Sequence, residues 1–319
     1  MTTPQLIDTI PNSRTQRAVQ AVYDGLNADV SALDFVNPSG GQDYFVDGNV
    51  SVAGDGTSWA SPYKTLAAAI AASNISIALT TNRWWARRNR IFFAADVLTE
   101  TLTAFPTKCD IIGVGSYDGN TKPGLTGHHN PATESYGTRW FNVQFNAVAT
   151  ATAIMTLAGA TSVAGPQFHG CTFNATAGTV TSAILATAVP GLQVIGCEFI
   201  GTFATSYITF GTGEAGRTLI KGNRMIGTSA IGIVAGAGMT STWGVQIDDN
   251  FIHATGLVVD DDSDLIFGTR NTMITDADAG VDALGAMDVN KSFWSNNKLT
   301  GIAGTEENAD FPFAVQFTS

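Results

Sequence analysis

Val194-Ile195-Gly196-Cys197-Glu198-Phe199 and, one step further on, Leu219-Ile220-Lys221-Gly222-Asn223-Arg224-Met225 are two copies of one phrase. It consists of an apolar pair, a small or polar turn, a Cys or Asn, one free residue and an apolar residue. An earlier copy reads Phe168-His169-Gly170-Cys171-Thr172-Phe173, and later ones surround Asn250, Asn271 and Asn297. Aligned on the Cys/Asn position, the copies fall at 171, 197, 223, 250, 271 and 297, in steps of 26, 26, 27, 21 and 26 residues. A period in the twenties marks a solenoid, whose repeats bury their apolar faces only by stacking on one another. The Leu-x-x-Leu-x-Leu frame of leucine-rich repeats is absent. Short Val/Ile/Phe/Thr runs broken by Gly, Asn and Ser are strand and turn chemistry, so the period predicts a parallel β-helix of eight to ten coils over about residues 90–300.

The repeat also gives its marker residues a job. Asn223, Asn250, Asn271 and Asn297 are expected to stack as an amide ladder that bonds from coil to coil in an interior turn. Cys171 and Cys197 occupy the same column, about 4.8 Å apart, and read as two buried thiols rather than a disulfide. With Cys109 they form no metal-ligand spacing.

Composition agrees with a solenoid. Only 13% of the 319 residues are charged, about half the usual share, and a core that grows along one axis lets so long a chain form one domain. The net charge of −11 argues against a nucleic-acid groove, which needs a basic stripe. No run of about eighteen apolar residues predicts a membrane span, and Met1-Thr2-Thr3-Pro4-Gln5 does not resemble a signal peptide. The chain is therefore expected outside any membrane, leaving its cell by lysis or on a particle.

Residues 1–41 lie outside the repeat. Asn12-Ser13 opens a short amphipathic helix with Ala18, Val22 and Leu26 on one face, read as an arm that anchors on a partner or lies against its own solenoid. Residues 42–319 form the β-helix, with residues 301–319 as a terminal cap or strand. Near its start come Tyr44-Phe45-Val46-Asp47 and Gly54-Asp55-Gly56-Thr57-Ser58-Trp59-Ala60-Ser61-Pro62-Tyr63-Lys64-Thr65-Leu66. Ser61 as cap and Pro62 at the first helical position predict a helix over about 62–73, a lid on the open end of the core. Arg90–Leu102 and Cys109–Gly115 read together as the first coil, and residues 116–139 as a long loop.

In this order, the segments from Val46-Asp47 to Asp110-Ile111-Ile112-Gly113-Val114-Gly115 resemble the opening of pectin-lyase-like right-handed β-helix proteins, notably those of tailed-phage virions and bacterial surfaces. The resemblance spans roughly residues 43–300. It implies a right-handed helix and a side-by-side homotrimer; for activity it implies little, because that superfamily includes lyases, glycosidases, tailspikes and proteins without catalysis.

The candidate sites are few. Trp84, Trp85, Arg87 and Arg88 form the one basic, aromatic cluster, suited to a sugar by stacking, to an acidic neighbouring subunit by Arg pairing, or simply to a loop rim. His128 and His129 face opposite ways on a strand and make no metal pair, and His169 and His253 read as structural. An inverting glycosidase needs two carboxyl groups about 6.5–9.5 Å apart. Asp248, Asp249, Asp260, Asp261, Asp262, Asp264, Asp276, Asp278, Asp282 and Asp288 supply candidates, with Asp249 and Asp276 brought near each other if their coils adjoin. Carboxylates at exposed turns are also ordinary, and the Asp260–Asp264 run lacks the Gly and distal Glu of an EF-hand loop. No catalytic residue, metal or cofactor is assigned. The expected function is a non-enzymatic phage virion protein, a homotrimeric capsid decoration protein anchored by residues 1–41 on capsid or tail proteins. The alternative is a tailspike or fibre that binds host polysaccharide, with cleavage, as a hydrolase or lyase, as its one candidate activity.

Overall fold

The computed structural model describes residues 41–78, 87–94, 97–115, 122–131, 136–149, 151–159, 165–236, 238–256, 259–261, 266–276, 293–301 and 310–311. They form a parallel β-solenoid with one short helix. A first sheet stacks ten strands, from Asp43–Asp47 and Asn89–Ala94 through Gln193–Ile195 to Phe293–Ser295. Its neighbour pairs are parallel throughout. A second sheet runs from Val97–Thr99 through Gln144–Asn146 to Asn297–Gly301. A third face is made by Ala153–Ala158, the far halves of the long strands Thr172–Thr187 and Glu198–Phe210, Thr228–Ala235 and Val259–Asp261. The long strands pass from the second face to the third at register shifts, after Ala175 in one and Phe203 in the other, which is how a bulge turns a corner.

The turn from first to second sheet explains the repeated phrase. The residue before each Cys/Asn has a positive φ: Gly170, Gly196 and Gly222, then Asp249, Arg270 and Asn296, at 55–64°. A left-handed residue here bends the chain sharply, and Gly, Asn and Asp reach that conformation most cheaply. The next side chain is thereby thrown into the interior, where the ladder forms. The Asn223 backbone N–H and Nδ2 both donate to Asn250 Oδ1, at 3.0 and 2.9 Å, while Nδ2 also donates to the Val194 carbonyl at 2.9 Å. Asn250 repeats this on Asn271 Oδ1 and the Ile220 carbonyl, and Asn271 on Asn297 Oδ1 and the Ile247 carbonyl. Above the ladder the cysteines act as weaker donors: Cys197 Sγ donates to the Phe168 carbonyl at 3.4 Å and Cys171 Sγ to that of Trp140 at 3.6 Å. Both are free, buried thiols, as is Cys109, and burial raises the Cys197 thiol well above its ordinary pKa.

Side chains of like kind also stack along the core. Phe145, Phe173 and Phe199 lie in register, with centroids 5.3 and 4.9 Å apart and near-parallel rings. Trp140 and Phe168 occupy the facing column, edge-on to Phe145 at 5.1 and 5.8 Å. Each fully buried ring contributes roughly 2–3 kcal/mol of apolar burial. The shortest step of the repeat, between Asn250 and Asn271, arises mainly between the third face and the first sheet: Ala235 and Val245 are ten residues apart, whereas their coil partners Asp261 and Ile266 are five apart. The ladder keeps its register because most of the length change falls in that connection, away from the turn that carries the Asn residues.

Four expectations need correction. The helix is Leu66–Ala78, later than 62–73. Tyr63 is instead committed to the edge of the first strand: Phe45 N–H donates to the Gly56 carbonyl, Tyr63 N–H to that of Phe45 and Asp47 N–H to that of Tyr63, at 2.8–2.9 Å. Gly56, at φ 73°, allows this close return, since a Cβ there would sit 2.1 Å from the Tyr63 ring. The cap is Thr65, whose Oγ1 accepts from Ala68, and the Glu100 carboxylate accepts from Leu66 and Ala67, both at 2.9 Å. A negative group at that end also suits the helix dipole. The helix does bury Leu66, Ala69 and Ile70 in the core beside the terminal strand Asp43–Asp47. Secondly, Arg90–Leu102 and Cys109–Gly115 belong to successive coils, since Arg90 pairs with Asp110. Thirdly, the presumed loop 116–139 carries the strand Gly124–Thr126. Lastly, Asp260 and Asp261 lie on a strand, not at a turn. At the far end Asp310–Phe311 pairs antiparallel with Asn297–Gly301 and ends the second sheet. The arm residues Ala18, Val22 and Leu26 lie outside the described residues.

Removing one rung should uncouple two coils. Asn250→Ala strips four amide bonds from a buried site and is expected to cost about 2–4 kcal/mol in denaturant unfolding. Cys197→Asn, similar in volume and already placed in the column, should be tolerated and extend the ladder.

Candidate functional site

Two regions hold the candidate residues. On the first, the outward side of the first sheet, one column runs Asp43, Arg90, Asp110, Arg139, Gln167 and Gln193, one residue per strand. Because alternate residues of a strand point to one side, the charges that follow each other along this column meet. Arg90 grips Asp43 with two bonds of 2.7 and 2.6 Å, and Arg139 grips Asp110 with two of 2.6 Å. Arg88 adds a third cation, its Nη1 donating to Asp110 Oδ1 and to the Gly137 carbonyl, both at 2.8 Å. Bidentate geometry makes such pairs stronger than single contacts. Nearby, burial and the neighbouring Arg88 pull the Lys108 ammonium below its ordinary pKa, and the Arg87 Nε is buried with no hydrogen-bond partner. Arg88 is thus a component of a structural charge network. Trp84 and Trp85 lie outside the described residues.

Beside the charges runs a second outward column: Phe45, Phe92, Ile112, Phe141, His169 and Ile195. All six are half-buried. Phe45 and Phe92 stack at 5.4 Å with 22° between planes, and Phe141 and His169 at 4.9 Å with 15°. Arg90 and Arg139 lean over Phe92 and Phe141 at 5.5 and 5.7 Å. Trp59, 46% exposed, packs edge-on to Phe45 at 5.1 Å. It also borders a groove of about 520 Å³ between residues 50–54 and 59–62. Sequence reasoning missed both columns and Trp59. The available signal was the apolar doublets Tyr44-Phe45, Ile91-Phe92, Ile111-Ile112 and Trp140-Phe141, which mark strands apolar on both sides.

The second region holds the carboxylates. Asp249, on the turn, is held by Arg270 through bonds of 2.6 and 2.9 Å, with Lys221 at 3.9 Å. These cations lower its pKa, the Arg270 hydrogen bond most. Asp248 accepts from Thr269 Oγ1 and Gln246 Nε2, both at 2.6 Å. Asp276 pairs instead with His253 at 2.9 Å. The full strand Thr272–Thr275 lies between Arg270, the coil neighbour of Asp249, and Asp276. At about 3.3 Å per residue that separates the two carboxylates by on the order of 15–20 Å. The expected approach of Asp249 to Asp276 does not occur, and the separation is too wide for an inverting pair. Asp262, Asp264, Asp278, Asp282 and Asp288 lie outside the described residues. Among the described residues no three His, Cys, Asp or Glu side chains gather into a metal site, and no helix is long and apolar enough to cross a membrane.

The histidines divide as expected. His128 Nε2 meets Thr156 Oγ1 at 3.0 Å on the outside. His129 is fully buried, its Nδ1 accepting from Leu102 N–H at 3.3 Å and its Nε2 without a partner. His169 meets Gln167 at 3.2 Å.

No family model matches the chain, and neither a curated protein nor a solved structure matches it. The likeness to pectin-lyase-like proteins therefore stands at the level of the parallel β-solenoid, which the strand pairing shows directly.

Burial, and secondarily the neighbouring His128, pushes the His129 pKa down to about 3. The unfolded chain takes up that proton near its ordinary 6.5, so stability should be full above pH 6.5 and fall as pH drops towards 3. The slope is about 1.4 kcal/mol per pH unit. Denaturant unfolding between pH 7 and 4 checks this, and His129→Phe should flatten the slope.

Proposed function

We propose that this chain is a non-enzymatic structural protein of a tailed-phage virion, a homotrimeric decoration protein on the capsid surface, anchored by residues 1–41. The virion setting and the trimer rest on the resemblance of residues 43–115 to β-helix proteins of phage particles. The observation that carries the structural reading is the use of the chain's polar groups. Ladder amides bond coil to coil, while Asp43, Asp110 and Asp249 are each clamped by Arg of a neighbouring coil. Carboxylates committed in this way serve rigidity, and a stiff, stapled solenoid is what an exposed particle surface demands.

A second reading, a tailspike or fibre binding host polysaccharide, draws on Trp59 and the groove beside it, where a sugar ring would find an exposed aromatic side chain.

Cryo-electron microscopy and mass spectrometry of particles from the virus encoding the chain test the first reading. Density on the capsid, continuous from the solenoid into coat subunits through residues 1–41, is the expected result. Particles that lack the protein, or that carry it only at the tail tip, contradict it. Titration with host capsular polysaccharide tests the second: binding lost in Trp59→Ala would favour the fibre, and no binding is expected for a decoration protein.

A further inference from the structure

We infer that the outward side of the first sheet, over the coils from Asp43 to Ile195, is the face by which copies of this chain pack against one another. The inference rests on the homotrimer reading above and names its interface.

The three outer faces differ in chemistry. On the second sheet an outward column reads Thr99, Thr126, Asn146 and Asn174 before reaching Ile200, a solvent-facing choice reinforced by the 3.0 Å bond from Asn174 Nδ2 to Asn146 Oδ1. On the third face the outward column includes Thr156 and Thr209, beside Leu185 and Val234. Among the described residues, the first sheet alone carries, in one of its outward columns, an aromatic or apolar residue at five of six successive positions, the sixth being His169, itself stacked on Phe141. Parallel sheets with apolar residues on both sides are normally covered on both. At about 4.8 Å per coil the stripe is roughly 25 Å long, the scale of a subunit contact rather than of scattered surface apolars.

The ring geometry selects the kind of partner. Phe45 lies on Phe92, and Phe141 on His169, with planes 15–22° apart along the solenoid axis. Rings stacked in this way present edges outward, whereas a sugar needs an open face. Edges flanked by aliphatic side chains and Arg stems suit protein packing.

The charges select a second copy. A chain of net charge −11 repels its own kind over most of its surface. Along this stripe the neighbouring column alternates Asp43, Arg90, Asp110, Arg139, and Arg88 adds one more cation. Because these charges are already paired within the chain, the strip is close to neutral, so approach of a second copy there escapes the general repulsion.

Light scattering after gel filtration, with circular dichroism as a fold check, tests the inference on the full chain. Wild type is expected at three times the 33.3 kDa chain mass. Phe92→Glu with Phe141→Glu should reduce the mass threefold to a single chain, with the β spectrum kept, whereas Thr99→Glu on the second sheet should leave the trimer. If the double variant does not fold, hydroxyl-radical footprinting of wild type decides: Phe45, Phe92 and Phe141 should be protected at high and not at low protein concentration, while Trp243, 64% exposed, stays reactive at both. A wild-type oligomer that survives folded Phe92→Glu/Phe141→Glu, or that leaves the three rings reactive, overturns this interface and spares the trimer. A monomeric wild type overturns both.

Discussion

The structure depends on a side-chain amide that is satisfied only by its equivalents one coil away. An Asn buried in the turn interior carries two N–H donors and an acceptor oxygen that cannot be left unpaired without cost. Asn223, Asn250, Asn271 and Asn297 resolve this by bonding to one another and to the carbonyls of the preceding strands. The solution requires that the coils sit in one register, since a one-residue slip would break every rung and turn each strand inside out. Once the turns are locked, Phe145, Phe173 and Phe199 are brought face to face on the next sheet, and coil length can vary between the third face and the first sheet at no cost to either column.

This dependence also explains what could be read from the sequence. The ladder was legible because it needs one residue type at one place in every coil. The left-handed residue before it was legible only in part: Gly170, Gly196 and Gly222 announce it, while Asp249 and Arg270 do not. The helix start was misread because Ser61-Pro62 is a sound local cap, and tertiary pairing of Tyr63 with the strand edge overrides it. The charged column was hidden for a different reason. Its members, Asp43, Arg90, Asp110 and Arg139, are 47, 20 and 29 residues apart, because the early coils carry the helix and loops of unequal length. No fixed period connects them, and only the strand register shows that they adjoin. The same irregularity left Asp249 and Asp276 looking close when a whole strand divides them.

Polar chemistry in this chain falls into two classes. Inside, amides and thiols bond to backbone and to one another, and His129 stays neutral among aromatic rings. Outside, charges are sparse, and on the first sheet they are arranged to cancel beside a continuous apolar stripe. In the candidate region Asp248, Asp249 and Asp276 are each tied to a cation or a hydrogen-bond donor, and the face that departs from ordinary solvated chemistry is apolar.

Amide hydrogen exchange, followed residue by residue, tests the central claim most directly. The backbone N–H groups of Cys197, Asn223, Asn250 and Asn271 each donate to the side-chain oxygen of the next rung, at 2.8–3.0 Å. If the ladder is the spine of the solenoid, these four exchange only through global unfolding, as slowly as the central amides of the Phe173 and Phe199 strands. Exchange at the rate of exposed turns such as Asp55–Thr57, with those strands still protected, would show that the sheets hold together without it.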